Sequence, residues 1–428
     1  MKIRYQLKPR SQRRSTAFRP EGVLSFGQLR TDHMFLMDHV DGAWLDPRIV
    51  PYGPLALAPG AVVLHYAQEI FEGAKAFLHE DGEIYAFRID KNAARMNRSA
   101  AGVCMPSLPE ADQVEAVLAL LDVERLWYPQ QDGASLYIRP FMIGTQDSLG
   151  VKPSSRYLFC VFLSPSGPYY PAGFQEPVKL LISRRFHRAA PGGTGAYKTG
   201  GNYAASLMAG EAAHAHGASQ VLYLDVTDRY IEEAGSMNHF HVTRDGSLLI
   251  PAFGDTILRS VTSESVLELG ARELGIAPRL ERLELEPFLA GLKDGSVVEA
   301  GGFGTAAAVS AVGAYVFDDG RELKVGDGRI GPHTRRVYET LTGIQRGTRT
   351  APEGWLFRVP RASAVAAPRA VAARAKAHSS SAGATIARKR TASRTAASAH
   401  RHAAAGRLSP GAGRRVATPA RRAAKPRR

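Results

Sequence analysis

The chain has 428 residues, 44% hydrophobic and 22% charged, with two cysteines, Cys104 and Cys160. That composition excludes a collagen, a disulfide-stapled mini-protein and a wholly disordered chain, and allows a large core or two domains. The net charge of +15 invites a nucleic-acid reading, but residues 361–428 hold 17 of the 55 lysines and arginines and no Asp or Glu, leaving 38 basic and 40 acidic side chains in residues 1–360.

Met1–Arg19 is basic and lacks the apolar stretch of a secretory signal, so it reads as a flexible lead-in to the first strand. No uncharged apolar run reaches the roughly 18 residues of a membrane-spanning helix. Two cysteines fit a reducing compartment, which places the chain in the cytoplasm. Residues 84–87, 136–142 and 157–163 are rich in β-branched and aromatic residues and read as strands. Residues 112–127 read as a helix. Residues 164–177 contain four prolines and two glycines, which disfavour helix or central strand. They mark a linker between a small α/β domain over 20–163 and a larger domain over 178–360, both of ordinary size.

The second region has strand signals at 178–183 and 221–225 and helical spacing over 203–215, 263–274 and 334–346, where Val337, Leu341 and Ile344 share a face. Strands mixed with helices give an α+β or α/β body. Residues 361–428 contain no Phe, Trp or Tyr. They cannot bury enough apolar surface to offset chain entropy and read as a disordered tail. Such a tail is a solvated extension or a weak, salt-sensitive binder of nucleic-acid phosphates, without aromatics to stack on bases.

Four segments stand out. In 191–205 five glycines surround Lys198, which can serve as a phosphate clamp, a Schiff-base former or a surface charge. Tyr197 precedes the lysine where a phosphate-binding P-loop needs Gly. Ile231–Asn238 reads as a turn between strands, and Gly301–Ala307 as a turn entering a small-residue element. In 261–269, Thr262 or Ser263 reads as the cap of an amphipathic helix, whose free N–H groups suit a phosphate. No metal is expected.

Taken in order, these segments resemble the branched-chain amino-acid aminotransferases, members of the fold-type IV pyridoxal-phosphate enzymes. The likeness runs through Phe26-Gly27, Thr31–Met34, Tyr66, Phe71–Phe77, Arg95-Met96 and Leu136–Pro140. It continues through Lys198–Tyr203, Glu233–Asn238, Gly304–Ala306 and Gly354-Trp355, covering about residues 20–358. The resemblance implies a two-domain architecture and pyridoxal 5′-phosphate joined as a Schiff base to Lys198, whose amine also serves as general base. It implies Glu233 at the pyridine nitrogen and Tyr203 at the phenolic oxygen, with Glu232 solvated. Arg95, Thr305 and the N–H groups of Val261 and Thr262 would hold the phosphate.

Phe26, Tyr66, Phe71, Tyr137 and Tyr169 would enclose the substrate side chain. Ala306 and Ala307 would bind the α-carboxylate through their N–H groups, and Arg139 would help accommodate the γ-carboxylate of glutamate, directly or by positioning a tyrosine. Val151 would reach the pocket of a partner subunit, which implies a homodimer. Gly301 stands where several relatives carry an aromatic, implying a looser loop before Thr305. The implied reaction is reversible transamination of L-leucine, L-isoleucine and L-valine with 2-oxoglutarate. Alternatives are a D-amino-acid aminotransferase or aminodeoxychorismate lyase on the same scaffold, or a nucleic-acid-binding protein acting through the tail.

Overall fold

A computed structural model describes residues 1–18, 24–129, 131, 133–167 and 174–361. Tyr169, with residues 168–173 of the expected linker and 362–428 of the expected tail, lies outside the described residues. Two nine-stranded sheets organise the rest. In the first, Ala43–Pro51, His33–Val40, Arg156–Ser166, Ser135–Gly144, Ala74–Leu78 and Ile84–Phe87 follow one another as antiparallel neighbours, and Glu69–Phe71 adds to Ser135–Gly144. The late strand Leu356–Arg358 returns to pair with Ile84–Phe87 in this same sheet.

The core of this half is Phe35, Ile70, Ile138 and Phe159 from the sheet against Met96, Leu120 and Leu121 from the helices Ile89–Gly102 and Glu110–Val123. On Ile89–Gly102, Asn92, Arg95 and Ser99 recur at helical spacing and are all buried. The same stripe therefore carries polar groups inward.

In the second sheet, Ile231–Ala234, Gln220–Leu224, Val178–Ile182, Ala308–Phe317, Val297–Gly304 and Met237–Thr243 pair in that order, and Met237–Thr243 pairs back onto Ile231–Ala234. These six strands close a ring, which removes their open edges. The last closure is a two-residue turn in which Gly235 has φ +61°, a conformation that favours glycine. It sets Glu233 directly opposite Asn238.

Every strand and helix expected above is present, with shifted ends. The expected helix 112–127 is Glu110–Val123 followed by a single tight turn, Arg125–Trp127. Glu124 breaks it because its carboxylate accepts from the Asp32 N–H at 3.2 Å and bonds the buried His33 ring. The strand Arg156–Ser166 runs through Pro165, where a break was expected. There its neighbour on one side has already ended, at Met34 opposite Phe162, so the missing N–H leaves no ladder bond unmade.

The flexible lead-in is also corrected. Arg4–Tyr5 pairs in parallel with Arg48-Ile49, the Met1 amine donates to Glu115 at 2.6 Å, and the Lys8 N–H donates to His33 Nε2 at 2.9 Å. Strand pairing and polar contacts to distant residues hold what composition alone leaves free.

Candidate active site

A cavity of about 450 Å³ contains most of the expected residues. Lys198 enters it between two pieces of the first sheet's half. Its N–H donates to Ser99 Oγ at 2.9 Å, and its carbonyl accepts from the Phe71 N–H at 3.0 Å. Its Nζ lies 2.7 Å from Tyr203 Oη and 4.8 Å from the centre of the Phe71 ring. Lys198 precedes the helix Gly200–Ala205, with an extended Thr199 between, and Tyr203 lies within it, so the two side chains meet across the helix start rather than along one helical face.

Glu233 is buried on the opposite wall. It accepts from the Leu258 N–H at 2.8 Å and sits 3.3 Å from Arg188 Nε. Burial pushes its carboxyl up; the Arg188 guanidinium and the Leu258 N–H pull against that. Arg188 is tied by its Nη2 to the carbonyls of Gly195, at 2.9 Å, and Thr256. Nothing in the run Arg184-Arg185-Phe186-His187-Arg188 distinguishes this arginine from its neighbours; only the fold turns it inward. Glu232, expected in solvent, is buried as well, with Oε2 lacking a hydrogen-bond partner. Its strand is covered on both faces, so alternation exposes neither carboxylate.

Arg95 lines the cavity with its charge already met. Nε and Nη2 donate to the two carboxylate oxygens of Glu72 at 2.7 and 2.8 Å, and Nη1 donates to the Arg259 carbonyl at 3.0 Å. A guanidinium has five N–H donors, so two remain for a ligand. Full burial works to raise Glu72, but the Arg95 guanidinium outweighs it and holds the carboxyl below its ordinary range. Glu72 lies inside the Phe71–Phe77 run, and its place next to an expected pocket aromatic was the available signal.

Beside Arg95, whose Nη1 reaches the Arg259 carbonyl, the helix Val261–Leu274 begins after Ser260 at the cavity wall. Its cap is Ser260 rather than Thr262 or Ser263. Ser260 is extended, at φ −82° and ψ 127°, and its Oγ accepts from the Ser263 N–H. The N–H groups of Val261 and Thr262 precede the first helical bond, made from Glu264 to the Ser260 carbonyl at 2.9 Å.

Thr305, Ala306 and Ala307 form a short loop on the rim. Lys75 Nζ donates to the Ala306 carbonyl at 2.6 Å. Desolvation, with Arg346 nearby, lowers this lysine to about 8. Phe26 meets Tyr137 edge-on at 4.9 Å, and Arg139 Nη2 donates to Tyr137 Oη at 3.2 Å. Tyr137 fits because residue 73 is glycine: a Cβ there would lie 2.1 Å from Tyr137 Oη.

Among the described residues, four expected ones do not line the cavity: Val261 and Thr262, which follow Ser260 at its wall, and Tyr66 and Val151, which belong to other segments. Tyr66 is exposed and its hydroxyl donates to the Leu149 carbonyl, while Val151 in the same loop is 86% exposed. Both lie outside this protomer's cavity wall. Gly301 is not in a loop but within Val297–Gly304, opposite Phe240, whose ring would stand 2.4 Å from a Cβ at that position. Phe240, stacked on Phe303 at 4.2 Å, fills the room left by the missing side chain, so the segment is not looser.

Residues 69–288 match the family described as amino-transferase class IV. The chain is 45% identical over 338 residues to the branched-chain-amino-acid transaminase 1 of Bacillus subtilis, covering 78% of this chain and 94% of that protein. It is 42% identical to the branched-chain-amino-acid aminotransferase of Mycobacterium tuberculosis, covering 78% and 92%. Among solved structures, the branched-chain amino acid aminotransferase of Escherichia coli superposes with a TM-score of 0.64 at 27% identity, covering 77% of this chain and 99% of that one. The branched-chain amino acid aminotransferase of T.th., solved with pyridoxamine 5′-phosphate, gives 0.62 at 26% identity, covering 76% and 98%.

Proposed function

Because the chain belongs to the class IV aminotransferase family, we propose that Lys198 is the amine through which it transaminates L-leucine, L-isoleucine and L-valine against 2-oxoglutarate. Transamination of branched-chain amino acids is the activity named for relatives at 41–45% identity over most of the chain. The observation that carries the assignment of residues is the meeting of Lys198 Nζ, Tyr203 Oη and a buried, arginine-paired Glu233 in one cavity.

The residues present fit pyridoxal 5′-phosphate, the cofactor of this family. Arg95 has two unspent N–H donors, and the start of the helix Val261–Leu274 offers two more at Val261 and Thr262; with Thr305 they would hold the phosphate. Glu233 would face the ring nitrogen, and Tyr203 the phenolic oxygen. When bound, the cofactor supplies an aldehyde that bonds an amine and a ring that takes up the electron pair left at the substrate's Cα.

Lys198 Nζ takes the Cα proton and returns it on the other side of the reaction. Arginine could not replace it, since its guanidinium stays protonated. Tyr203 Oη, 2.7 Å away, keeps Nζ oriented. Arg188, 3.3 Å from Glu233, opposes the burial that raises its carboxyl, and so favours the form that would accept a proton donor from the ring. Lys75 takes up the Ala306 carbonyl, which leaves the N–H groups of Ala306 and Ala307 to receive a substrate carboxylate. Phe26, Phe71 and Tyr137 supply the apolar wall, and Arg139 the cation for the γ-carboxylate of glutamate.

The exposed loop carrying Val151, fastened to Tyr66, supports a homodimer in which it reaches a second copy. Among the described residues no helix is long and apolar enough to cross a membrane. Two unpaired cysteines support a reducing, cytoplasmic location.

Borohydride reduction of purified protein followed by peptide mapping tests the central claim. The label is expected on the peptide containing Lys198, and an absorbance band near the visible edge should bleach with L-leucine and be missing in Lys198→Ala. A label elsewhere overturns the assignment. Turnover of D-alanine without L-leucine would instead favour the D-amino-acid reading.

A further inference from the structure

Arg88 does not line the cavity, yet it is the largest fully buried side chain among the described residues. It caps the start of the helix Ile89–Gly102 at φ 47° and ψ 39°, the left-handed region that a non-glycine residue rarely takes. Its N–H donates to the Trp355 carbonyl at 2.8 Å, and its guanidinium carbon lies 4.4 Å from the centre of the Trp355 ring. So held, the side chain crosses to the helix Val261–Leu274. Nη1 donates to Ser265 Oγ at 2.9 Å and Nη2 to Glu268 Oε1 at 2.6 Å.

Ser265 is buried too, and its hydroxyl has one proton to give. It gives that proton to the Val261 carbonyl, 2.8 Å away and one turn back along the helix. The Val261 carbonyl and the Thr262 N–H belong to one planar peptide unit. A chain of donors therefore runs from the Arg88 guanidinium through the Ser265 hydroxyl to the peptide whose N–H precedes the first helical bond. A hydrogen bond accepted at an amide oxygen polarises the unit and makes its N–H a stronger donor. Arg95 stands two turns beyond Arg88 on the helix Ile89–Gly102, and its Nη1 makes a second tie to the same region at the Arg259 carbonyl.

We infer that Arg88 and Ser265 are positioning residues for the phosphate of the cofactor: together they orient and polarise the Val261–Thr262 peptide, so that its N–H is held for the same phosphate as Arg95. This rests on the pyridoxal 5′-phosphate reading of the cavity. Neither side chain lines the cavity, so the effect passes through that peptide and reaches the phosphate alone, not the ring.

Ser265→Ala removes the hydroxyl from a small buried side chain. The full-length protein, freed of cofactor, is titrated with pyridoxal 5′-phosphate and with pyridoxal, which lacks the phosphate, and binding is read by absorbance and equilibrium dialysis. Kd for pyridoxal 5′-phosphate should rise about three- to tenfold, while Kd for pyridoxal moves by less than about twofold. Arg88→Met should shift the ratio of the two constants in the same direction, and should shift it no further when added to Ser265→Ala. An equal rise for both ligands, an unchanged ratio in Ser265→Ala, or a further shift on adding Arg88→Met overturns the inference and leaves the phosphate site standing. A wild type that binds pyridoxal 5′-phosphate no more tightly than pyridoxal overturns the phosphate site itself.

Discussion

Acid should destabilise this protein through two histidines that take no part in the chemistry. His239 and His241 are two residues apart on Met237–Thr243, so they share one face. Both are buried against Phe288, with ring centres 5.4 and 5.0 Å from it. Burial lowers His239 well below its ordinary value and brings His241 from 6.5 to about 4. The unfolded chain therefore binds protons at a pH where the folded chain refuses them. Stability is full above about pH 6.5 and declines as the pH falls toward about 4.

For His241 alone the whole gap corresponds to about 3 kcal/mol, of which about 2 kcal/mol is lost by about pH 5. His241→Leu removes the titrating ring and keeps an apolar side chain against Phe288. Urea unfolding of wild type and variant at about pH 7.5 and about pH 5, at one fixed cofactor concentration, measures the difference. Burial raises Glu232 and Glu233, which shifts stability the opposite way with pH, but both proteins share that contribution. The variant should lose about 2 kcal/mol less than wild type over this interval. An identical loss in both would refute the argument.

Glu72→Gln leaves the buried Arg95 guanidinium without its counter-charge and should destabilise the folded chain by about 3 kcal/mol, read from denaturant midpoints. Gly73→Ala places a methyl group where Tyr137 Oη stands; KM for leucine should rise several-fold in steady-state assays, with a smaller change in kcat. Gly301→Val forces the Phe240 ring off its stack with Phe303 and should cost about 1–3 kcal/mol in unfolding experiments. A silent substitution would refute the close packing at this position, since the Ser310 carbonyl, also 2.4 Å from a Cβ there, belongs to the backbone and cannot swing aside as a ring can.

The motifs that carry chemistry were legible because each is compressed into a few consecutive residues. Lys198 and Tyr203 lie five residues apart across the start of one short helix, and Glu233 and Asn238 flank a glycine turn, so each pair is brought together within one short segment. Arg188 and Glu72 were not legible in the same way. Each meets a partner elsewhere along the chain: Arg188 meets Glu233, and Glu72 meets Arg95. The helix cap moved from Thr262 or Ser263 to Ser260 because three adjacent hydroxyl residues compete, and only backbone dihedrals choose among them.

By itself the amino-acid order determined which elements form, which face of each is apolar, that the excess positive charge lies beyond residue 360, and which lysine stands in a glycine-rich loop. Periodicity reports the face of a strand or helix that turns inward, but not what waits on the other side. The tertiary structure decided that. It buried Glu232 as well as Glu233, laid Phe240 over Gly301, anchored Met1 and Lys8 through polar contacts to Glu115 and His33, and left Tyr66 and Val151 outside the cavity of their own chain. Burial and partnership depend on contacts between distant segments, and those exist only once the two sheets and their helices have packed.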